Sequence, residues 1–517
     1  MTDQLTFTTT LADETATAAL MADLALLIGP GALITLTGDL GAGKTAAARA
    51  MIRYLAGDDE LEVPSPTFTL AQSYDLPSFP LVHADLYRIS DASELEEIGL
   101  SPLPEATVVL IEWPERAGGT LPLDRVDIAL RHDPSQGDTA RSAEITGSGK
   151  AAAVVARLKA LREFLAEAGH AKSRRERMAG DASTRSYARL HKGERVSILM
   201  NSPKRPDGPA IYNGKPYSGA VHLAEDVRPF VAIAAALRGR GISAPKINDA
   251  DLGHGFLITE DLGREGVIEG DPPRPVVERY EAATDLLAAL HAQDVPSVLP
   301  LAPQVTYEVP TFDVEAMLIE IGLMLEWYLP DRGVELSQVL RAEFLEIWRE
   351  LLETPLAAKP TSKPTSKPTW VIRDYHSPNL LWLPAREGIA RVGVIDFQDA
   401  VMGPPAYDVV SLAQDARIDV SAELERALRE RYIAARQAAS TDFDADEFGA
   451  HYAIMSVQRN TRLLGTFARL NRRDGKPHYL KHQPRIWDYL HRSLAHAALD
   501  PVRDWYAANV PPPAGVA

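Results

Sequence analysis

The chain has 517 residues, with 54 lysines and arginines against 71 aspartates and glutamates, a net charge of −17, and no cysteine. At about 150 residues per folding unit this length calls for roughly three units, counting lobes of a larger module, and 45% apolar with 24% charged residues builds full cores. A single small domain, global disorder, disulfides, thiolate metal sites and nucleic-acid capture by blanket positive charge are excluded.

The opening MTDQLTFTTT lacks the basic and apolar regions of a secretory signal. The apolar stretch Ala18–Leu36 is interrupted by Asp23 and by Gly29, Pro30 and Gly31, so no membrane span is expected. A cytoplasmic location fits. Leu20, Met21, Leu24, Leu27 and Ile28 recur at helical spacing, predicting an amphipathic helix over Thr15–Ile28. The run Ala32–Thr37 then reads as a strand, GDLGAGKT as a glycine loop, and the alanine-rich segment from Ala46 as a helix. Apolar runs at Leu81–Ala84, Val108–Ile111 and Val126–Leu130, with a possible last strand at Ser142–Thr146, make residues 1–148 an α/β domain with a largely parallel sheet. GSGK at Gly147–Lys150 reads as linker, because Glu144 stands where a phosphate loop needs its first glycine.

A helix is expected over Ala151–Ala168, strands at Tyr187–Leu190, Val196–Met200 and Phe256–Thr259, and a helix over Leu223–Leu237. After His291 the pattern is mostly helical. This gives a small mixed lobe over about 170–263 and a larger helical lobe over about 264–517. The repeat KPTSKPTSKPT, Lys359–Thr369, reads as an exposed polyproline-type loop.

Gly38, Gly43, Lys44 and Thr45 satisfy the phosphate-loop spacing between a strand and a helix. The amides of Gly38, Asp39, Leu40, Gly41, Ala42 and Gly43 can curl around the phosphates of ATP. Lys44 can neutralise their charge and the Thr45 hydroxyl can ligate magnesium. Such a site also needs an acid at a neighbouring strand end. Asp85 and Glu112 are the candidates, each also compatible with a solvated strand end.

In order, GDLGAGKT, SPTFTL (Ser65–Leu70), HADLYR (His83–Arg88), ELEEIGL and IEWPER (Ile111–Arg116) resemble the TsaE family, the ATPase subunit of the bacterial machinery that makes threonylcarbamoyladenosine in tRNA. The resemblance implies ATP hydrolysis in complex with TsaB- and TsaD-like proteins, tRNA being reached only indirectly. It places Thr67 in a switch-like loop and gives Asp85 and Glu112 to metal or water. Trp113 either packs on the nucleotide or is structural.

The second half carries the kinase order of base and two metal ligands: Asp374, Asn379 and, after an apolar strand, Asp396. Asp374 would accept a substrate hydroxyl proton while Asn379 and Asp396 hold magnesium. Upstream, AGDASTRSYARL, with Gly180 and Ser183, would cover the ATP phosphates, and FLITEDLG, with Glu260 and Leu262, would be the adenine hinge. His291 reads as a packed helix residue.

RDYHSPNLLWL and IDFQDAVMGPPAYD, with GDASTRSY and EWYLP, resemble the aminoglycoside phosphotransferase superfamily and within it the AmgK branch of N-acetylmuramate and N-acetylglucosamine kinases. An α/β P-loop NTPase domain over 1–148, followed by a two-lobed α+β protein-kinase-like (aminoglycoside phosphotransferase) domain over 149–517, is therefore expected, using ATP and Mg2+ and taking a small amino-sugar substrate. One departure is Met200, where a kinase places its phosphate-binding lysine; Lys204 and Lys215 are possible substitutes, and methionine there is compatible with activity in the branch resembled. Arg373 could meet the N-acetylmuramate carboxylate or an internal acid. Trp327 and Tyr328 could stack on the sugar or belong to the core. Two rivals are phosphorylation of another hydroxyl compound such as an aminoglycoside, and a non-catalytic module that regulates the ATPase.

Overall fold

The computed structural model describes residues 4–91, 93–178, 185–204, 208–356 and 367–515. Two compact units divide it: Met1–Lys204 with Ile247–Asp261, and Arg205–Lys246 with Leu262–Ala517.

In the first unit, apolar runs separated by helices and turns build a seven-stranded sheet. Its elements are β1 (Gln4–Leu11), α1 (Glu14–Ala25), β2 (Leu33–Thr37), α2 (Lys44–Ala56), β3 (Ala71–Asp75), β4 (Pro80–Asp85), α3 (Glu94–Glu97), β5 (Val108–Glu112), β6 (Arg125–His132) and β7 (Arg141–Ser148). The strand order is β1-β7-β6-β2-β5-β4-β3. The central strands β6, β2, β5 and β4 are parallel, while β7, β1 and β3 pair antiparallel. Within the parallel part, β2 and β5 are buried on both faces, whereas β6 buries alternate residues. The GSGK segment is only half linker: Gly147 and Ser148 complete β7, and a two-residue turn leads into α4 (Ala151–Glu167).

The same unit holds a second sheet, of five antiparallel strands, in the order β11-β12-β10-β9-β8. These are β8 (Arg174–Arg177), β9 (Ser186–Lys192), β10 (Arg195–Asn201), β11 (Ile247–Asp251) and β12 (Phe256–Glu260). Helix α4 serves both sheets. Val155 and Leu158 belong to the core of the first, whereas Leu161, Phe164 and Leu165 pack with Ala188, Leu199 and Ile258 of the second.

The second unit is mainly helical: α5 (Tyr217–Ala220), α6 (Arg228–Arg238), α7 (Val277–His291), α8 (Val314–Leu323), α9 (Leu329–Asp331), α10 (Gln338–Leu356), α11 (Ala406–Ala413), α12 (Ala422–Ala439), α13 (Ala445–Asp474), α14 (Gln483–Leu494) and α15 (Asp500–Asn509). A π-helical turn, Met324–Tyr328, continues α8. Short antiparallel pairs carry the loops: β13 (Ile268–Glu269) with β14 (Arg274–Pro275), β15 (Val298–Ala302) with β16 (Val305–Glu308), β17 (Thr369–Val371) with β20 (Val401–Gly403), and β18 (Leu380–Trp382) with β19 (Val392–Val394). The repeat loop falls largely outside the described residues, and its last residue, Thr369, is the first of β17. Among the described residues no helix is long and apolar enough to cross a membrane.

Candidate active sites

In the first unit β2 ends at Thr37, and the loop Gly38–Gly43 turns directly into α2, whose first-turn N–H groups lack intrahelical partners. Gly38 has φ +138°, and a Cβ there would strike the Leu130 carbonyl, so glycine is required. Lys44 Nζ donates to the Gly38 and Asp39 carbonyls at 2.7 and 2.9 Å and lies 3.6 Å from the Trp113 ring centroid. Burial lowers its pKa, against the pull of Glu112, Glu115, Asp85 and Asp39.

Asp85 and Glu112 face each other across the register of β4 and β5, at the ends of parallel strands beside the loop. Thr45 Oγ1 donates to Glu112 Oε2 at 2.9 Å, and His83 Nε2 donates to Oε1 at 2.9 Å. Asp85 accepts from the hydroxyls of Ser65 and Thr67 and from the Tyr87 N–H, at 2.8, 2.9 and 3.0 Å. A hydroxyl hydrogen-bonded to a carboxylate beside a phosphate loop is a hard-oxygen donor set that suits magnesium. His83 and Ser65 lie inside motifs that the sequence singled out, yet only the fold turns them toward these acids. Trp113 is half-buried and stands against the Lys44 ammonium.

In the second unit the base loop leaves β17 and enters β18. Asn379 Nδ2 donates to the Asp374 carbonyl at 2.9 Å, which leaves its Oδ1 for another partner. The Ile395 N–H donates to the Asn379 carbonyl at 3.0 Å, bringing Asp396 alongside. Asp396 has φ +58° and accepts from Gln398 Nε2 at 2.9 Å. Here too the donors are oxygens that fit magnesium. Two buried acids hold the loop. Asp408 on α11 accepts from the N–H groups of Ile372 and Arg373 at 2.6 and 3.0 Å, and Asp415 accepts from the Ser377 N–H and hydroxyl at 2.9 and 2.5 Å. Burial pushes the Asp408 carboxyl up to about 7, in spite of its two backbone donors.

The Asp374 carboxylate is about one-third exposed (35%), and Arg462 Nη2 stands 3.9 Å from it. Burial pushes the Asp374 carboxyl up, but Arg462, His376, Arg373 and Arg459 outweigh it and hold the group below its ordinary value. Arg462 Nη1 also reaches Glu320 Oε1 at 3.5 Å, and Gln458 Nε2 donates to Glu320 Oε2 at 3.1 Å. The assignment of Arg373 to substrate is corrected: its side chain is 1% exposed, paired with Glu320, and donates to the Val221 carbonyl. The internal acid satisfies it. Glu320, Arg459 and Arg462 escaped the sequence reading because helical charges without a motif look like solvated faces.

Trp327 is half-buried on the π-turn, where Glu326 accepts from the Tyr212 hydroxyl, whereas Tyr328 is a core residue donating to the Pro511 carbonyl. His291 is buried against the Tyr432 hydroxyl. Met200 is buried in β10, and Lys204 and Lys215 are exposed. Glu260 ends β12, and Leu262 lies against Gly393 of β19. Gly180 and Ser183 lie outside the described residues.

Two family matches cover these centres: the threonylcarbamoyl adenosine biosynthesis protein TsaE over residues 11–142, and the phosphotransferase enzyme family over residues 174–446. An N-acetylmuramate/N-acetylglucosamine kinase of Caulobacter vibrioides is 39% identical over 361 residues, covering 67% of this chain and 95% of that protein. Its counterpart in Pseudomonas aeruginosa is 32% identical over 320 residues, covering 61% and 82%. A tRNA threonylcarbamoyladenosine biosynthesis protein TsaE of Rickettsia bellii is 37% identical over 107 residues, covering 21% of this chain and 74% of that protein.

Proposed function

Because the chain belongs to the TsaE family in its first part and to the phosphotransferase enzyme family in its second, we propose that it is a bifunctional enzyme. Its N-terminal ATPase supports threonylcarbamoyladenosine modification of tRNA, and its C-terminal kinase phosphorylates the anomeric hydroxyl of N-acetylmuramate or N-acetylglucosamine in cell-wall recycling. Both act in the cytoplasm. The ATPase works within an assembly of TsaB- and TsaD-like proteins, and the net charge of −17 favours indirect over direct action on tRNA.

The single observation that carries the kinase reading is the loop in which Asn379 is pinned to the Asp374 backbone while Arg462 stands 3.9 Å from the Asp374 carboxylate. Asp374 takes the proton of the anomeric hydroxyl, and that oxygen attacks the γ-phosphorus of ATP in line as the bond to ADP breaks. Asn379 and Asp396 hold Mg2+, which supplies positive charge to the phosphate oxygens. In the ATPase centre, Lys44 and the loop amides bind phosphates, Thr45 and Glu112 hold Mg2+, and Asp85 orders the Ser65–Thr67 segment next to the attacking water. The guanidinium groups beside Asp374 favour a neutral or acidic sugar over a polycationic aminoglycoside, and an intact base and metal pair favours catalysis over a purely regulatory module.

The test is a pair of variants in the full-length protein. Asp374→Ala should abolish sugar phosphorylation and retain ATP hydrolysis at the phosphate loop; Lys44→Ala should lose that hydrolysis and fail to support tRNA modification. Retained sugar turnover in the first, or full modification with the second, sinks the corresponding half of the reading.

A further inference from the structure

Beside the paired cations of the kinase centre stand arginines without an acid of their own among the described residues: Arg459, which is 2% exposed and donates to the Gln414 carbonyl, and Arg469. Arg373 and Arg462 are engaged by Glu320 and Asp374. Arg469, seven residues beyond Arg462 on the long helix α13, makes no ion pair among the described residues, and its Nε meets no acceptor. It is half-buried, with its guanidinium carbon 4.9 Å from the centroid of the Tyr217 ring. An arginine laid on an aromatic face is held flat, so that the edge of its planar fork stays directed at a carboxylate.

The position along the helix matters as much as the charge. Seven residues are nearly two whole turns, so the backbone positions of Arg462 and Arg469 lie on one face of α13, about 10 Å apart along its axis. Gly465 lies between them on that face, and a Cβ there would strike the backbone of Leu323 and Met324. The π-turn bearing half-buried Trp327 is thereby pressed against α13 between the two arginines. Tyr217 is within electrostatic reach of both, since Arg469 and Arg462 each oppose the upward push of burial on its phenol.

We propose that Arg469, backed by Tyr217, is the specificity-determining residue that binds the lactyl carboxylate, carried on O3 of N-acetylmuramate, while Asp374 engages the anomeric hydroxyl on C1. This rests on the kinase reading above. N-acetylglucosamine lacks the carboxylate and cannot use the contact, so Arg469 sets the ratio between the two substrates. A charge-assisted bidentate contact of this kind corresponds to about a 10- to 100-fold preference.

Steady-state kinetics on the full-length protein with both sugars, and with N-acetylmuramate whose carboxylate is converted to its amide, test the assignment. Arg469→Ala should lower the ratio of kcat/KM for N-acetylmuramate over N-acetylglucosamine by about 10- to 100-fold, mainly through the KM for N-acetylmuramate. Arg469→Lys should restore part of the ratio. The amide should be a poorer substrate than the acid for the wild type and an equal one for Arg469→Ala. Equal losses on both sugars, or an acid-over-amide preference that survives in Arg469→Ala, overturn the carboxylate site and leave the kinase reading standing. Failure of the wild type to phosphorylate either sugar overturns both.

Discussion

At the scale of single residues, the two centres differ in how much of their chemistry is written contiguously. Lys44 and Thr45 are neighbours, and Asp374 and Asn379 are five residues apart, so local spacing exposes them. Arg462 reaches Asp374 only because α13 packs behind the base loop, and nothing around it in the chain announces that contact. Arg373, adjacent to the base, invites a substrate role, yet the backbone there turns to φ +70° and sends the side chain inward to Glu320. Proximity in sequence misleads where side-chain direction decides. The Arg462–Asp374 pair makes a definite prediction. Burial alone would raise the Asp374 pKa, and the positive charge of Arg462 opposes it more strongly than any other neighbour. Arg462→Leu should therefore move the acidic limb of kcat/KM for sugar phosphorylation to higher pH, because the base stays protonated further up the scale. A pH profile identical to the wild type would show that Arg462 does not tune the base.

At the scale of elements, the strands of the two large sheets that sequence periodicity missed share one property. β1 and β3 are the edges of the first sheet, and β8 and β11 are the edges of the second. Their sequences, QLTFTTTL, AQSYD, RRER and INDAD, are polar because an edge strand is not enclosed on both sides. Buried β2 and β5 stand out as apolar runs for the converse reason. The π-turn leaves no such trace in its composition; at its start the backbone of Leu323 and Met324 closely approaches Gly465. Replacing glycine by alanine inside a helix normally stabilises by up to about 1 kcal/mol. At Gly465 the added methyl meets the backbone of Leu323 and Met324, so Gly465→Ala should instead cost about 1–3 kcal/mol, read as a lower denaturation midpoint of the kinase unit. An unchanged or raised midpoint would mean that α8 and α13 slide apart without strain. Asp408 permits a second test, on the seating of the base loop against α11. Its folded pKa of about 7 lies above the ordinary value of 3.8, so the folded state binds this proton more tightly than the unfolded state. The stability it contributes is complete below about pH 4 and is lost as pH rises through about 7. The melting temperature of the wild type relative to Asp408→Asn should accordingly fall between those values. A constant difference would mean that Asp408 ionises normally despite its burial.

At the scale of the whole molecule, two catalytic modules expected to meet at residue 148 share structure across that point. Helix α4 places Val155 and Leu158 in the core of the ATPase sheet and Leu161, Phe164 and Leu165 in the core of the small kinase sheet. Asp23 on α1 is 1% exposed; it receives Arg175 of β8 at 2.9 and 3.2 Å and Arg162 of α4 at 3.0 Å. In sequence, Asp23 is only the charge that interrupts an apolar stretch, because its two partners lie well over a hundred residues downstream. The arrangement predicts that the ATPase domain and the small kinase sheet lose stability together. Asp23→Ala leaves the nearly inaccessible Arg175 guanidinium without its carboxylate, a change that costs about 3–5 kcal/mol in buried pairs. On heating, phosphate-loop ATPase activity and sugar kinase activity of this variant should both be lost at lower temperature than in the wild type, and by similar amounts. Arg175→Met, which removes the charge and keeps much of the volume, together with Asp23→Leu should recover much of the loss, since an apolar pair avoids the desolvation that the ion pair must offset. Thermal inactivation of one activity with the other unmoved would show that the modules are joined by a tether rather than by a shared core.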